Sequence, residues 1–196
     1  MLKEARIAAH HAIAKVIFDT FHEHGRGGWH IHVEIPVYGL RAIDTPEHLK
    51  HEWHRMVDKI EGIGAEAEAE EGSVLEEQDF AGNQQVLERL RPDAWAISWG
   101  RRQVLMLELT WAHDGNPDWV HNVEESKCRR YRRLQEEMMR SLPGWVVETV
   151  PLTVGTRGSI PVSAWLMNLT RLGVSTHTTQ ARFLQELTQQ ALDQLD

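Results

Sequence analysis

The sequence has little of what secreted and membrane proteins depend on. Cys128 is the single cysteine among 196 residues, which excludes an internal disulfide and favours a reducing, intracellular compartment, cytoplasmic or nuclear. No apolar run approaches the roughly 18 residues that a transmembrane helix needs. The N-terminus also lacks the compact apolar block and cleavage site of a signal peptide. We therefore expect a protein that is neither secreted nor membrane-embedded.

The net charge of −8 argues at first against a nucleic-acid partner, but the acidity lies in one segment. Residues 61–80, EGIGAEAEAEEGSVLEEQDF, hold eight acids and neither lysine nor arginine. The rest of the chain is neutral overall, so the net charge says little about the surface outside this segment.

Hydrophobic periodicity divides the chain into helices and strands. The pattern predicts, in order, a helix over 2–24, a strand over 29–35, a helix over about 45–60, paired strands within 91–110, a helix over about 120–141, a strand from about 145, and helices over about 160–172 and 177–195. This order indicates an α/β (α+β) protein with a small mixed central sheet flanked by helices.

We expect a single domain over residues 1–196. Residues 36–85 are predicted to be an insertion, whose helix is followed by an acidic loop over about 61–80. Two amphipathic helices make residues 160–196 a C-terminal helical addition, and these helices offer a surface for oligomer formation.

The stretch RPDAWAISWGRRQVLMLELT, residues 91–110, reads as a hairpin with an acid at each end. Gly100-Arg101 suits a two-residue type II′ turn. In that register the numbers of paired residues sum to 201, so Asp93 and Glu108 lie opposite each other with Cβ atoms about 4.5–5.5 Å apart.

The two acids stand on strands that are apolar on both faces. Like charges repel there, and each carries a desolvation cost. A shared proton or a divalent cation such as Mg²⁺ would compensate. The alternative is a pair at the strand ends that simply reaches solvent.

The next helix places a lysine on its packing face. Lys127 falls in the apolar stripe, four residues after Val123 and four before Tyr131. If this helix packs on the sheet, the ammonium can point at the carboxylates and stabilise charge in a transition state. Alternatively, the alkyl stem lies over the edge of the core and the ammonium reaches water.

Arginines cluster on the same helix. They form either a phosphate-binding patch or i,i+4 ion pairs with Glu136 and Glu137. Arg130 and Arg133 are candidate contacts to a nucleic-acid backbone, as is Arg157 in a glycine-rich turn near the end of the last predicted strand.

Three motifs carry a resemblance to a known family. RPD, a spacer of fourteen residues and ELT resemble the signature of the PD-(D/E)XK, or restriction-endonuclease-like, nucleases. ELT, KCRRY and PLTVGTRG are similar to the endonuclease domains attached to reverse transcriptases of non-LTR retrotransposons. The resemblance covers residues 91–158 and implies a core of αβββαβ order.

The resemblance also implies a site. Asp93 and Glu108 would be metal ligands, with the carbonyl of Leu109 as a further ligand. The family's usual lysine position is occupied by Thr110, and Lys127 on the following helix would replace that lysine.

The superfamily often adds a third acid from its first helix. Glu4 is the candidate by position, and Glu34 on the following strand is another. His10, on the apolar stripe of the first helix, is either a hydrogen-bonded core histidine or one that faces the site.

The resulting hypothesis is a nuclease that hydrolyses DNA phosphodiester bonds with Mg²⁺ or Mn²⁺ as cofactor. Its partners would be DNA and, by the resemblance, a reverse transcriptase or other domains of a longer polyprotein. Two alternatives stand beside it. One is an inactive nuclease-like scaffold that binds nucleic acid or protein, and the other is a protein-interaction module that oligomerises through residues 175–196.

Overall fold

The computed structural model describes residues 2–24, 28–70, 87, 90–115 and 118–193. Within these residues the elements are α1 Leu2–His24, β1 His30–Val33, a 3₁₀ helix Val37–Ala42, α2 Glu47–Glu70, β2 Ala94–Ser98, β3 Gln103–Ala112, α3 Trp119–Ser141, β4 Val146–Gly155, α4 Val162–Arg171 and α5 His177–Asp193. The predicted mixed sheet with flanking helices is confirmed.

The four strands form one sheet in the order β1-β2-β3-β4. Strand β2 is antiparallel to both β1 and β3, whereas β4 runs parallel to β3. A parallel pair needs a long crossover connection, and α3 provides it. This mixed connectivity brings α3 onto one face of β3, directly after the strand that carries Glu108.

Helices cover both faces of the sheet, so β2 is buried along its whole length. One face packs against α2, the 3₁₀ helix and α3. The other packs against α1, α4 and α5. Phe183 of α5 contacts the rings of Phe21 in α1 and Trp165 in α4, so the apolar face of this C-terminal helix is used within the chain's own core.

The predicted insertion is more helical than its sequence suggested. Its helix was expected to end near residue 60, but α2 continues to Glu70, so the prediction of an acidic loop is wrong over 61–70. The alternating Ala and Glu there are both good helix formers. Residues 71–80 of the predicted loop lie outside the described residues.

Strand β1 is shorter than predicted. It ends at Val33, because Glu34 has a φ of 52° and leaves the extended conformation. Pro36 then lacks the N–H that a ladder requires. Val33 is 46% exposed at the end of this edge strand.

The hairpin has the predicted register but not the predicted turn. The ladder runs from Ala94↔Leu107 to Ser98↔Gln103, so paired numbers sum to 201. The turn is a four-residue loop closed by a hydrogen bond from the Arg102 N–H to the Trp99 carbonyl at 3.3 Å. A type II′ turn needs positive φ at Gly100; here Arg102 carries it, at 51°.

No helix in the described part of the chain is both long and apolar enough to cross a membrane.

Candidate active site

Glu108 is buried, and both of its carboxylate oxygens are bonded to α3. The residue is 3% exposed. Its Oε2 accepts a hydrogen bond from Lys127 Nζ at 2.6 Å, and its Oε1 accepts one from the Tyr131 hydroxyl at 2.5 Å. Lys127 and Tyr131 are one helical turn apart, so both side chains reach β3 from the same face of α3.

Asp93 is held from the opposite side of the sheet. It precedes the first residue of β2, and its Oδ2 accepts a hydrogen bond from the Leu109 backbone N–H at 2.6 Å. Its Oδ1 lies 3.1 Å from Nε2 of His10 on α1. The carboxylate therefore ties the start of β2 to β3 and to the first helix.

These side chains form one electrostatic unit. The pKa of His10 is raised, chiefly by its hydrogen bond with Asp93, while burial opposes the shift. The charges of Asp93 and Glu108 raise this pKa further, and that of Lys127 lowers it. The two carboxylates and the lysine thus all act on the charge of the histidine, which α1 supplies from one face of the sheet while α3 supplies the lysine from the other.

Tyr131 remains a hydrogen-bond donor. Burial first, and then the charge of Glu108, raise the pKa of its hydroxyl well above its ordinary value. The hydroxyl also lies 3.3 Å from the Arg91 carbonyl. Tyr131 therefore fixes the Glu108 carboxylate and links it to the segment that leads into Asp93.

Glu34, one of the two candidate third acids, does not complete a cluster of acids among the described residues. The Glu34 carboxylate is 44% exposed and lies 3.7 Å from His11 Nε2. The backbone N–H of Glu34 bonds to the Asp93 carbonyl at 2.9 Å, so this residue supports Asp93 through its main chain. The Glu4 side chain lies outside the described residues.

The arginines differ in their surroundings. The Arg130 guanidinium lies 5.4 Å from the centre of the Tyr131 ring. The alternative i,i+4 pair of Arg133 with Glu137 is not formed. Glu137 accepts a hydrogen bond from Arg140 and lies 4.0 Å from Lys59. Arg157, which is 64% exposed, bonds through Nε to Asp114 at 3.1 Å.

Asp114 ties together the loops that follow β3 and β4. Its side chain is 6% exposed and accepts hydrogen bonds from Ser159, Arg157 and Thr156. The bond from Ser159 contributes most to holding the pKa of Asp114 at about 2, against burial, which raises it. A Cβ at Gly155 would come within 2.6 Å of the Asp114 carboxylate, so the close approach of this loop requires glycine.

We expect Asp114 to make stability depend on pH in acid. A carboxylate with a lowered pKa stabilises the fold above its ordinary value, 3.8, and that contribution is lost as pH falls towards about 2. Urea unfolding at several pH values should show a shallower decline below pH 4 in Asp114→Asn than in the wild type. An Asp19→Asn control should follow the wild type, and a parallel decline in Asp114→Asn would contradict the assignment.

The sequence only partly indicated the roles of two site residues, Tyr131 and His10. Tyr131 was assigned to the apolar stripe, although its place four residues after Lys127 was a usable signal. For His10 two interpretations were open, and the structure places it against Asp93. Thr110, at the family's usual lysine position, has a buried hydroxyl without a hydrogen-bond partner among the described residues.

The donor set suits a small, hard cation. Asp93 and Glu108 present carboxylate oxygens, each with one protein donor and a remaining lone-pair site, and the Leu109 carbonyl is a further candidate oxygen. Mg²⁺ is usually bound through one or two carboxylates and retains several waters. No group of three or more His, Cys, Asp or Glu side chains within the described ranges could hold a metal ion, so the protein's share would be this two-acid set.

Comparison with known proteins adds no family assignment. No protein-family model matches the sequence, and no curated protein matches it. What the fold establishes is the class, a mixed α/β (α+β) protein with a four-stranded open sheet.

Proposed function

We propose that this protein is a divalent-metal-dependent endonuclease that hydrolyses DNA phosphodiester bonds, with a core of the restriction-endonuclease type. The observation that carries the proposal is the 2.6 Å contact between the Lys127 ammonium and the Glu108 carboxylate. This contact brings a cation from α3 to an acid on β3, at the end of the sheet where Asp93 also lies.

Asp93 and Glu108, with the Leu109 carbonyl, would hold Mg²⁺ or Mn²⁺. When bound, such a cation supplies Lewis acidity, which stabilises charge on a scissile phosphate and makes water a better nucleophile. The residues of the chain supply the remaining functions. The N–H of Leu109 and the ring of His10 orient Asp93, and Tyr131 orients Glu108.

Lys127 would have two tasks. In the resting site it neutralises the buried Glu108. Its side chain is 24% exposed, so the ammonium can also donate a hydrogen bond to an attacking water or to a phosphate oxygen that gains charge in the transition state. Thr110 offers only a neutral hydroxyl at the lysine position of the resembled family and carries no positive charge to stabilise that oxygen.

Cleavage of DNA tests the proposal. We expect the wild type to cut DNA with Mg²⁺ or Mn²⁺ and not with EDTA. The Asp93→Asn variant should lose about a hundred-fold or more in rate, comparable to the loss of a key electrostatic group in other enzymes. Glu125→Gln on the exposed side of α3 is the matched control, and circular dichroism checks the fold of both variants. Undiminished cleavage by Asp93→Asn would refute the site.

One observation favours the alternative of an inactive nuclease-like scaffold. Each carboxylate oxygen of Asp93 and Glu108 already has a donor from the protein, so the network is satisfied without a cation. Isothermal titration calorimetry distinguishes the two functions. Binding of Mg²⁺ or Mn²⁺ that is lost in Asp93→Asn supports the enzyme, whereas no metal binding with or without DNA supports the scaffold.

A further inference from the structure

A surface groove lies beside the two-carboxylate site and is lined by residues that the proposed catalysis does not use. It encloses about 460 Å³, and its walls are Pro36, Tyr38, Arg91 and Arg130. That volume falls within the range of small-ligand pockets, roughly 300–1,000 Å³. Among the residues that the structure describes, the lining contains two cationic side chains, one aromatic ring, one proline and no acid.

The two guanidinium groups are available to an anion. Arg91 and Arg130 are both exposed. Neither forms an ion pair with any carboxylate in the described part of the chain. By contrast, Arg129, which lies next to Arg130 on α3, is paired with Glu125. Two unpaired guanidinium groups facing one groove suit phosphate oxygens, which arginine can bind through two parallel hydrogen bonds.

The aromatic wall is held in place while its ring stays exposed. Tyr38 is 55% exposed and belongs to the 3₁₀ helix that follows Pro36. The Val37 N–H bonds to the Leu90 carbonyl at 3.2 Å, and the Trp95 indole N–H bonds to the Ile35 carbonyl at 2.7 Å. These bonds fix the backbone of the 3₁₀ helix beside Arg91, so the exposed phenol ring and the two cations line the same groove.

The groove is joined to the carboxylate site through Tyr131. Its hydroxyl donates a hydrogen bond to Glu108, on the site side, at 2.5 Å and lies 3.3 Å from the Arg91 carbonyl, on the groove side. Arg130 is its neighbour in sequence and lies over its ring. A strand whose phosphates lie against Arg91 and Arg130 would therefore pass next to the acids.

We infer that this groove binds single-stranded DNA next to the phosphate that is cut, with one base stacked on Tyr38 and the adjoining phosphates against Arg91 and Arg130. The inference rests on the proposed function and specifies its substrate. Base pairs in a duplex are stacked on one another, so their faces are not free to cover a tyrosine ring. An unpaired base has a free face, and such stacking is sequence-tolerant.

Binding without metal tests the groove separately from cleavage. The probe is a fluorescein-labelled 12-nucleotide DNA strand, followed by fluorescence anisotropy in EDTA, with a blunt duplex and an RNA strand of the same sequence as comparisons. We expect Tyr38→Ala to weaken binding of the DNA strand roughly ten-fold. Tyr38→Phe, which keeps the ring, should bind like the wild type. Because Tyr38 is largely exposed, neither change disturbs the core.

Salt dependence tests the two arginines. For single strands, the slope of the logarithm of the association constant against the logarithm of the salt concentration is about −0.7 per phosphate contact. The double variant Arg91→Gln, Arg130→Gln should therefore make this slope less steep by about 1.4. Arg129→Gln, outside the groove, should leave the slope unchanged.

The possible outcomes separate the groove from the catalytic proposal. Loss of strand binding in Tyr38→Ala supports the groove even if the wild type never cuts DNA. Equal binding by wild type and Tyr38→Ala overturns it even if metal-dependent cleavage is observed. Tighter binding of the duplex than of the strand overturns the single-strand assignment, and tighter binding of RNA overturns the assignment to DNA.

Discussion

Lys127→Met is expected to lower the free energy of unfolding by about 3 kcal/mol, because it leaves a buried charge unpaired. The Glu108 side chain is 4% exposed and has its ammonium partner at 2.6 Å. Methionine keeps the alkyl stem of lysine but offers no charge and no donor. Removal of one partner from a buried pair costs about 3–5 kcal/mol, and the 24% exposure of Lys127 favours the lower end. Urea unfolding at neutral pH measures the change.

A double-mutant cycle isolates the charge from the packing. Glu108→Gln keeps the shape of the side chain and a carbonyl oxygen that can accept from Tyr131. In that background Lys127→Met should cost much less than it does alone, because no buried anion remains. An equal loss of unfolding free energy in both backgrounds would show that Lys127 contributes to stability only through its alkyl stem. Lys15→Met, which breaks an exposed pair with Asp19, is the surface control and should change stability by less than about 1 kcal/mol.

The site was predictable where periodicity alone decides geometry. A strand has a side-chain period of two and a hairpin has one register, so a register in which pair numbers sum to 201 could be predicted from the sequence. The ladder itself ends at Ala94↔Leu107, one position before Asp93 and Glu108. The ladder has that register although the turn was predicted wrongly. The four-residue loop from Trp99 to Arg102 is centred on the same point as the predicted two-residue turn, so the numbers of paired residues still sum to 201. The helical period likewise placed Lys127 and Tyr131 on the face of α3 that meets the sheet.

The parts that were missed depend on contacts between distant segments. His10 reaches Asp93 across 83 positions of sequence, and the periodicity of one helix cannot show which strand it will face. Arg157 was predicted to be a candidate contact to a nucleic-acid backbone, but it pairs with Asp114, 43 positions earlier, on a loop that the parallel pairing of β3 and β4 brings near. The end of α2 was misplaced for a different reason, because a run of like charges was given more weight than the helix propensity of Ala and Glu.

Thr110 occupies the position where the resembled family usually has its lysine. Its side chain follows Glu108 by two positions on β3, so it stands on the same face, and its register partner on β4 is Thr153. Both hydroxyls are buried without a partner among the described residues. The face that would carry a lysine in the resembled family thus carries two uncharged hydroxyl groups here. The ammonium beside Glu108 comes instead from α3, which packs over this face.

The second large effect concerns the predicted insertion, and it tests whether α2 is part of the core. We expect Trp53→Ala to lower the free energy of unfolding by about 3–5 kcal/mol, as for other large aromatic residues removed from cores. Trp53 is fully buried, with ring centroids 4.9 Å from Trp99 in the hairpin loop and 5.7 Å from Trp145 before β4. Its indole N–H also bonds to the Leu40 carbonyl at 2.9 Å. The substitution opens a cavity and leaves that carbonyl unpaired.

The same variant shows whether α2 unfolds together with the rest of the domain or in a separate transition. In an integrated core, tryptophan fluorescence and far-ultraviolet circular dichroism should report one coincident urea transition in both proteins, with a lower midpoint for Trp53→Ala. Trp53→Phe, which retains an aromatic ring, should lose less. A loss below about 1 kcal/mol, within the range of ordinary surface substitutions, or a separate early transition for α2, would show that the segment folds on its own. The three clustered indoles favour a single transition, because Trp53 joins α2 to both the hairpin loop and the start of β4.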